Sequence, residues 1–254
     1  MKYLFLFVSF FLFSSNTIVD SNLRIAETDE EAEKSISLEK KIMAFDSYVE
    51  SFYDCLSTPE LNYNMLKDGL KGYYSMKAQE KLTNTRYLSL VDFTLASNKN
   101  RFFLIDMEEK KVIKKSIIAH GRNSGGLLAT KFSNESESKM SSLGFFTTGA
   151  IYDGKYDYSM KLHGLEYSND NVFERGVVVH SADYATKEFL KKNGNVLGRS
   201  YGCPALPHKG YKDIVDIING GSCFFIYGKD RKYFRTSKLL KTYKYIDSFY
   251  SDFE

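Results

Sequence analysis

Short runs of β-branched and aromatic residues recur between residue 87 and about residue 230, and they constrain the fold of this 254-residue chain more than any other feature. Turn-like clusters such as SNKN, EEK and DGK separate the runs, which are YLSLVDFTL, RFFLIDM, KVIKKSIIAH, GFFTTGAIY, YSMKLHGLEY, RGVVVH and SCFFIYG. EEK joins two of them in a pattern that predicts a hairpin. An amphipathic segment, YKDIVDIING, and a shorter one over residues 185–192 predict helices. The sequence therefore predicts a mainly β, mainly antiparallel body, either a sandwich or a barrel.

A helical annex is predicted ahead of this body. Apolar residues between positions 43 and 76 recur at threes and fours, and the pattern breaks near Pro59. This spacing favours a helical hairpin packed on the body, with a peptide-binding groove as the alternative. Residues 22–42 are polar and charge-mixed, which is typical of a linker or a loosely ordered helix. We therefore expect a linker and annex over residues 22–84 and the main domain over residues 85–254.

The first residues predict export. Lys2 precedes an apolar run from Tyr3 to Phe13, which is shorter than the roughly 20 residues that span a bilayer but has the length of a secretory signal. We expect a signal peptide over residues 1–21 and a location in the periplasm or cell envelope. An uncleaved membrane tether is the alternative. The net charge of +3 comes from interspersed residues, 35 basic and 32 acidic, so we expect no nucleic-acid partner.

The three cysteines, Cys55, Cys203 and Cys223, leave at least one thiol unpaired within the chain. Export permits disulfides, so a Cys203–Cys223 bond is one hypothesis. The other is that Cys203, in GRSYGCPALP, is a nucleophile. That role needs an imidazole to accept the thiol proton, and His180 stands at the end of the apolar run RGVVVH. Gly202 permits a tight turn whose N–H groups can face a reacting carbonyl. Local chemistry leaves both hypotheses open.

A family resemblance favours the nucleophile. VVVHSADYA and GRSYGCPAL resemble the histidine and Ser-x-Gly-Cys segments of the murein L,D-transpeptidases, and more closely the variant in which Pro and Ala follow the cysteine. VDFTLASNKNRFFLIDM, IIAHGRNSGG and FSNESESKMSSLGFFTTG resemble further segments of that variant in the same order. The resemblance covers roughly residues 65–230. It implies an L,D-transpeptidase-like fold for the β body.

The resemblance also implies roles for individual residues. Cys203 is the implied nucleophile and His180 its base, oriented by the carbonyl of Ser181. The oxyanion hole is assigned to the N–H groups of Tyr201, Gly202 and Cys203. Ser200 braces the loop and is grouped with Arg199 and His120 as candidates for substrate binding, although His120 also suits a purely structural turn. Pro204 and Ala205 replace the aliphatic residue and arginine of the common family form, and Arg199 or Arg175 is a candidate substitute for that arginine.

The implied reaction is acyl transfer on peptidoglycan stem peptides through a cysteine thioester, which forms 3→3 crosslinks. An L,D-carboxypeptidase, in which water resolves the thioester, uses the same residues. A non-catalytic cell-wall binding or anchoring module is the third hypothesis. The chemistry requires no cofactor and no metal. For the remaining histidines we predict a plain strand residue at His163 and an exposed loop residue at His208.

Overall fold

The computed structural model describes residues 16–155 and 157–252. The chain divides into two compact units, residues 1–44 and residues 45–254. Most of the predicted signal peptide, residues 1–15, lies outside the described residues. Helix α1 (Asn16–Leu56) includes the polar segment at residues 22–42. Among the described residues, no helix is long and apolar enough to cross a membrane.

The predicted break near Pro59 is confirmed. Helix α1 ends at Leu56 and helix α2 (Tyr63–Lys77) begins after a short connection. The carboxamide oxygen of Asn62 caps α2 by accepting the backbone N–H groups of Asn64 and Met65 at 2.9 and 3.2 Å. This cap satisfies amides that have no partner within the first turn.

The body is one eight-stranded sheet in the order β3-β2-β1-β8-β4-β5-β6-β7. The strands are β1 (Tyr87–Asp92), β2 (Phe102–Asp106), β3 (Lys111–Ser116), β4 (Gly144–Gly154), β5 (Asp157–Gly164), β6 (Val178–Ser181), β7 (Ala205–Leu206) and β8 (Cys223–Tyr227). The predicted hairpin of β2 and β3 is confirmed. Most neighbours are antiparallel, as predicted, but β1 runs parallel to β8 and β6 runs parallel to β7. The mainly β fold with a helical N-terminal annex is therefore confirmed.

The two predicted helices of the body are present. Helix α3 (Lys187–Lys192) follows a single 3₁₀ turn (Asp183–Ala185) after β6. Helix α4 (Tyr211–Ile218) ends before Gly220 and Gly221, which both adopt positive φ, +73° and +97°. A left-handed backbone of this kind is what glycine permits at a helix end.

The main core lies where α2 covers the central strands. Phe145 of β4 and Phe225 of β8 stack at 4.1 Å between ring centroids. Gly72 of α2 sits on Phe145, and a Cβ at this glycine would lie only 1.9 Å from the ring. The small residue therefore sets how closely the helix approaches the sheet.

Three short C-terminal helices, which the sequence pattern did not predict, complete the core: α5 (Arg231–Thr236), α6 (Lys238–Lys241) and α7 (Lys244–Tyr250). Phe249 of α7 packs edge-on against Phe45 with ring centroids 5.2 Å apart. The buried carboxylate of Glu166 accepts from the Tyr233 hydroxyl at 3.0 Å and also binds Ser237. Glu166 accepts the Phe145 N–H as well, so it ties the C-terminal helices to β4.

Candidate active site

Parallel pairing of β6 with β7 brings the predicted base and nucleophile to adjacent segments. His180 is the register partner of Ala205, and its backbone N–H donates to the carbonyl of Pro204 at 3.4 Å. Cys203 immediately precedes Pro204 and Ala205 in the chain. The chain between the two strands passes through α3 and returns over a small apolar cluster: Ile117, Ala119, Ala182, Ala185, Leu190, Leu197 and Ala205. This cluster fixes where the cysteine loop meets β6.

The Cys203 side chain is almost enclosed, and the residue keeps 9% of its surface exposed. Its Sγ lies 3.5 Å from the backbone N of Val178 and 3.9 Å from the carbonyl O of Gly176. Burial raises the pKa of the thiol, while the Val178 N–H, the positive charge of Arg175 and the N–H of Cys203 itself act in the opposite direction. Thiolate formation at this site therefore depends on a nearby base and on these three groups.

The disulfide hypothesis is wrong, because Cys55, Cys203 and Cys223 are all free. Cys223 lies on β8 in the main core, where its Sγ contacts Met76 Sδ at 3.6 Å. Full burial raises the pKa of this second thiol, so it is a protonated core residue. Cys55 is exposed on α1.

His180 has the orientation that a general base requires. Its Nδ1–H donates to the carbonyl of Ser181 at 3.0 Å, so the lone pair of the neutral ring resides on Nε2. The Tyr184 hydroxyl lies 3.4 Å from that Nε2. Burial is the main cause that lowers the pKa of His180; the Ser181 bond raises it and the charge of His208 lowers it. The ring is therefore neutral and able to accept a proton at neutral pH.

Ser200 holds the cysteine loop in shape. Its Oγ donates to the carbonyl of Cys203 at 2.6 Å and accepts the N–H of Gly202 at 3.0 Å. The residue is buried and its hydroxyl makes both bonds within the loop, which fits the predicted bracing role. Substrate binding by Ser200 stays a prediction.

Gly202 has the backbone that the tight turn needs, with φ at +131°. A Cβ there would lie 2.9 Å from the Met140 carbonyl and 3.3 Å from the Arg175 guanidinium. The Gly202 N–H is engaged by Ser200 Oγ and is not free for an oxyanion in this conformation. The Tyr201 N–H has no hydrogen-bond acceptor among the described residues, and the Cys203 N–H interacts with its own sulfur, so these two groups stay the candidate oxyanion donors.

His120 belongs to the interior, and its assignment as a substrate contact is corrected. The residue is 1% exposed, and its Nδ1 accepts from Arg101 Nη2 at 2.8 Å while Nε2 lies 3.4 Å from the Gly125 carbonyl. Burial, followed by the charge of Arg101, lowers the pKa of His120 to about 3. The neutral ring shapes the turn at residues 120–125. Arg199 is exposed at the same turn, with Nη1 3.2 Å from the Gly125 carbonyl.

Arg175 has a larger role than the sequence indicated. Its Nη1 donates to the Ser133 carbonyl and Ser142 Oγ at 2.9 and 2.6 Å, and its Nη2 donates to the Met140 carbonyl at 2.8 Å. Sequence reasoning named Arg175 only as a substitute for a missing arginine. The position just before the buried run GVVVH was the one available signal. Arg175 instead anchors the loop over residues 133–142 and puts a positive charge near Cys203.

The predictions for the last two histidines are confirmed. His163 is an exposed residue of β5 whose ring stacks on Phe173 at 5.3 Å. His208 is exposed, but it is also part of the surroundings of His180. Its Nδ1 lies 2.9 Å from Ser181 Oγ and its Nε2 lies 3.0 Å from Asp183 Oδ1.

A polar cleft of about 400 Å³ opens beside the cysteine loop. Tyr201 is 59% exposed there, and Lys139 Nζ lies 5.5 Å from the centre of its ring. Two carboxylates and a second cation complete the charged lining. The lining residues are Ser136, Glu137, Lys139, Glu174, Arg175 and Tyr201. A cleft with both signs of charge suits a peptide that carries amine and carboxylate groups.

The family model described as the L,D-transpeptidase catalytic domain matches residues 57–227, which is more than half of the chain. No curated protein matches. An L,D-transpeptidase from Mycobacterium smegmatis aligns at 15% identity and a TM-score of 0.34, covering 56% of this chain and 59% of that one. L,D-transpeptidase 1 from Mycobacterium tuberculosis aligns at 14% identity and a TM-score of 0.32, covering 56% of this chain and 62% of that one. The helical cell shape determining protein Pgp2 from Campylobacter jejuni aligns at 15% identity and a TM-score of 0.38, covering 73% of this chain and 64% of that one. The chain spans less than two thirds of the length of each of these three structures.

Proposed function

The chain belongs to the L,D-transpeptidase catalytic domain family, and on that premise we propose that it is an exported enzyme of the cell envelope that forms 3→3 crosslinks between peptidoglycan stem peptides. One observation carries the proposal: the β6–β7 ladder joins the His180 strand to the Cys203 loop, and the Ser181 carbonyl orients the imidazole. Covalent acyl transfer needs a nucleophile, a base that accepts its proton and a group that orients the base, and Cys203, His180 and the Ser181 carbonyl are assigned these roles.

The first half-reaction acylates Cys203. His180 accepts the thiol proton, and Sγ attacks the carbonyl carbon of the third stem residue. The C–N bond to the terminal D-Ala then breaks, and the proton on His180 passes to the leaving amine. The S–C bond of a thioester replaces the C–N bond, so atoms and charge balance without a cofactor or a metal.

The second half-reaction transfers the acyl group. A side-chain amine of another stem attacks the thioester carbonyl after losing a proton to His180. The S–C bond breaks, a new amide forms, and the proton returns to Cys203. If water attacks in place of the amine, the product is a trimmed tripeptide stem, as in the carboxypeptidase alternative.

Each tetrahedral intermediate carries a negative oxygen, and the Tyr201 and Cys203 amides are the donors that support its stabilisation. Preorganised backbone N–H groups are effective because the loop does not reorganise during the reaction. Ser200 supplies that rigidity through its bonds to Gly202 and Cys203.

The proposal is tested by mass spectrometry of disaccharide-tetrapeptide incubated with the mature protein, with Cys203→Ala as the control. The expected product is a 3→3 dimer that is absent with the variant. Trimmed monomers alone would replace the transpeptidase by the carboxypeptidase. Unchanged substrate in both samples would favour the non-catalytic wall-binding module.

A further inference from the structure

A second cleft, of about 410 Å³, lies away from Cys203, and the proposed reaction leaves it without a role. We call it the Tyr167 cleft. It is framed by residues 132–135, by residues 167–171 and by the first turns of α5. The lining residues that matter here are Phe132, Asn134, Tyr167, Asp170, Asp230 and Lys232.

Hydrogen bonds fix the frame of the Tyr167 cleft in the free protein. The Asn134 side chain donates to the Tyr167 carbonyl at 2.9 Å and to Asp170 Oδ1 at 2.6 Å, and its oxygen accepts the Asn171 N–H at 3.2 Å. On the opposite wall, Asp230 Oδ1 accepts the N–H groups of Lys232 and Tyr233 at 2.7 and 3.0 Å and so caps α5. A ligand therefore enters a formed site, which lowers the entropy cost of binding.

The lining has the chemistry that recognises a sugar. The Tyr167 side chain is highly exposed, at 77% for the residue, and an open aromatic face accepts the C–H face of a pyranose ring. Asp170 and Asp230 use Oδ1 within the frame, and among the described residues no hydrogen bond or ion pair engages their Oδ2 atoms. These oxygens accept hydrogen bonds from hydroxyl groups. Phe132 and Leu143 add apolar surface that suits an N-acetyl methyl group.

The charges of the lining also restrict the ligand. Glu135, Asp170 and Asp230 face a single cation, Lys232, whose Nζ lies 5.9 Å from the centre of the Tyr167 ring. This excess of negative charge opposes phosphates and acidic peptides. A neutral molecule with many hydroxyl groups meets no such repulsion.

The Tyr167 cleft and the cleft beside Cys203 share one loop. Glu135 lines the first and the next residue, Ser136, lines the second. Arg175 holds both ends of this loop through the Ser133 carbonyl and Ser142 Oγ, and its Nη2 atom also binds the Met140 carbonyl beside Gly202. A ligand made of a sugar joined to a peptide would therefore span two adjoining sites.

We propose that the Tyr167 cleft binds an N-acetylated amino sugar of the glycan strand whose stem peptide is presented to Cys203. The proposal rests on the proposed function for the identity of the attached peptide. It assigns a separate binding site to the sugar, so that the enzyme recognises donor stems that are still attached to glycan.

Binding is tested without reference to activity, by titrating the full-length protein with N,N′-diacetylchitobiose and following chemical shifts or heat. We expect saturable binding that Tyr167→Ala weakens by about 2- to 10-fold, as for loss of one aromatic contact. Tyr243→Ala is the matched control, since Tyr243 is also exposed, at 56%, and lies at the start of α7. Absence of binding, or equal weakening by both variants, would overturn the proposal. The proposal would also be overturned if an oligolysine peptide bound saturably at Tyr167 while the disaccharide did not bind.

The coupling to catalysis is tested with two donors, disaccharide-tetrapeptide and the free tetrapeptide. The kcat/KM for disaccharide-tetrapeptide divided by that for the free tetrapeptide should exceed one in the wild type and in Tyr243→Ala. This ratio should fall toward one in Tyr167→Ala. A wild-type ratio of one would contradict the proposal even if crosslinks form. If the wild type converts neither donor, the proposed function fails, and the disaccharide titration still decides whether the cleft binds sugar.

Discussion

His180 and Ala205 are register partners in the parallel β6–β7 ladder, and the His180 amide donates to the carbonyl of Pro204. Backbone hydrogen bonds thus hold β6, the strand that carries His180, against the segment that follows Cys203. Substitutions that loosen the loop without touching either side chain are therefore expected to reduce activity.

Ser200→Ala removes the side-chain bonds to the Cys203 carbonyl and the Gly202 N–H. Displacement of a nucleophile by about 1 Å costs roughly 100-fold in rate, so we expect a loss of about 10- to 100-fold in acyl-enzyme formation. The melting temperature should change little by comparison. Rapid-quench mass spectrometry with disaccharide-tetrapeptide measures the rate, and Ser47→Ala, at an exposed serine of α1 outside both clefts, is the control. An unaltered rate in Ser200→Ala would refute the bracing role.

Arg175→Met should raise the pKa of the Cys203 thiol, because the positive charge of Arg175 opposes the effect of burial. The pH midpoint of Cys203 alkylation by iodoacetamide, read by peptide mapping, should therefore move to higher pH. Arg175→Lys keeps the charge and should move the midpoint less, even though the bonds to Ser133 and Met140 are altered. Equal midpoints for the wild type and Arg175→Met would show that the charge is without effect.

His208→Asn should raise the pKa of His180, since the charge of His208 lowers it. The base acts in its neutral form, so the rate of acylation falls as the pH drops through the pKa of His180. The acidic limb of the rate profile is thus expected at higher pH in the variant than in the wild type. His163→Asn, at an exposed position on β5, serves as the comparison. A limb that moves to lower pH, or not at all, would count against this coupling.

His120 should make the fold less stable in acid. Its pKa is about 3 in the folded protein and close to 6.5 in an unfolded chain, so the unfolded state binds more protons between these values. Stability therefore falls as the pH drops below about 6.5, with a limiting slope of about 1.4 kcal/mol per pH unit from this group. In His120→Gln, an amide that still fits between Arg101 and Gly125, this contribution should disappear. Urea unfolding between pH 4 and pH 7, with His163→Gln as control, measures the difference; parallel curves for the wild type and His120→Gln would disprove it.

Local pattern was sufficient for much of the fold. The period of the apolar residues located α2, α4 and most strands, because side chains that alternate along a strand or recur along a helix face must meet one core. The parallel pairing of β1 with β8 was not predictable in this way, since the two strands lie far apart in sequence. The short helices α5 to α7 were missed because four to seven residues give too few turns for a clear period.

The site shows the same division. Cys203, His180 and the Ser181 carbonyl lie on two segments whose motifs are continuous in sequence. The Nδ1 atom of His120 is engaged by Arg101, which directly precedes β2, and nothing near His120 in sequence indicates that contact. The engagement of the Gly202 N–H by Ser200 depends on the conformation of the loop. Residue types and spacing alone left the role of Cys203 open, and the family resemblance supplied the predicted chemistry, whereas long-range packing decided which polar groups remain free for a substrate.

The most direct test of the central claim is to trap the acyl-enzyme. The purified protein is mixed with disaccharide-tetrapeptide, quenched in acid within the first turnover, and mapped by peptide mass spectrometry, with His180→Gln and Cys203→Ala in parallel. We predict an adduct on the peptide that contains Cys203, with the mass of the donor less one D-Ala, reduced in His180→Gln and absent in Cys203→Ala. An adduct on Cys55, or crosslinked product formed by Cys203→Ala at the wild-type rate, would contradict the assignment of Cys203 as the nucleophile.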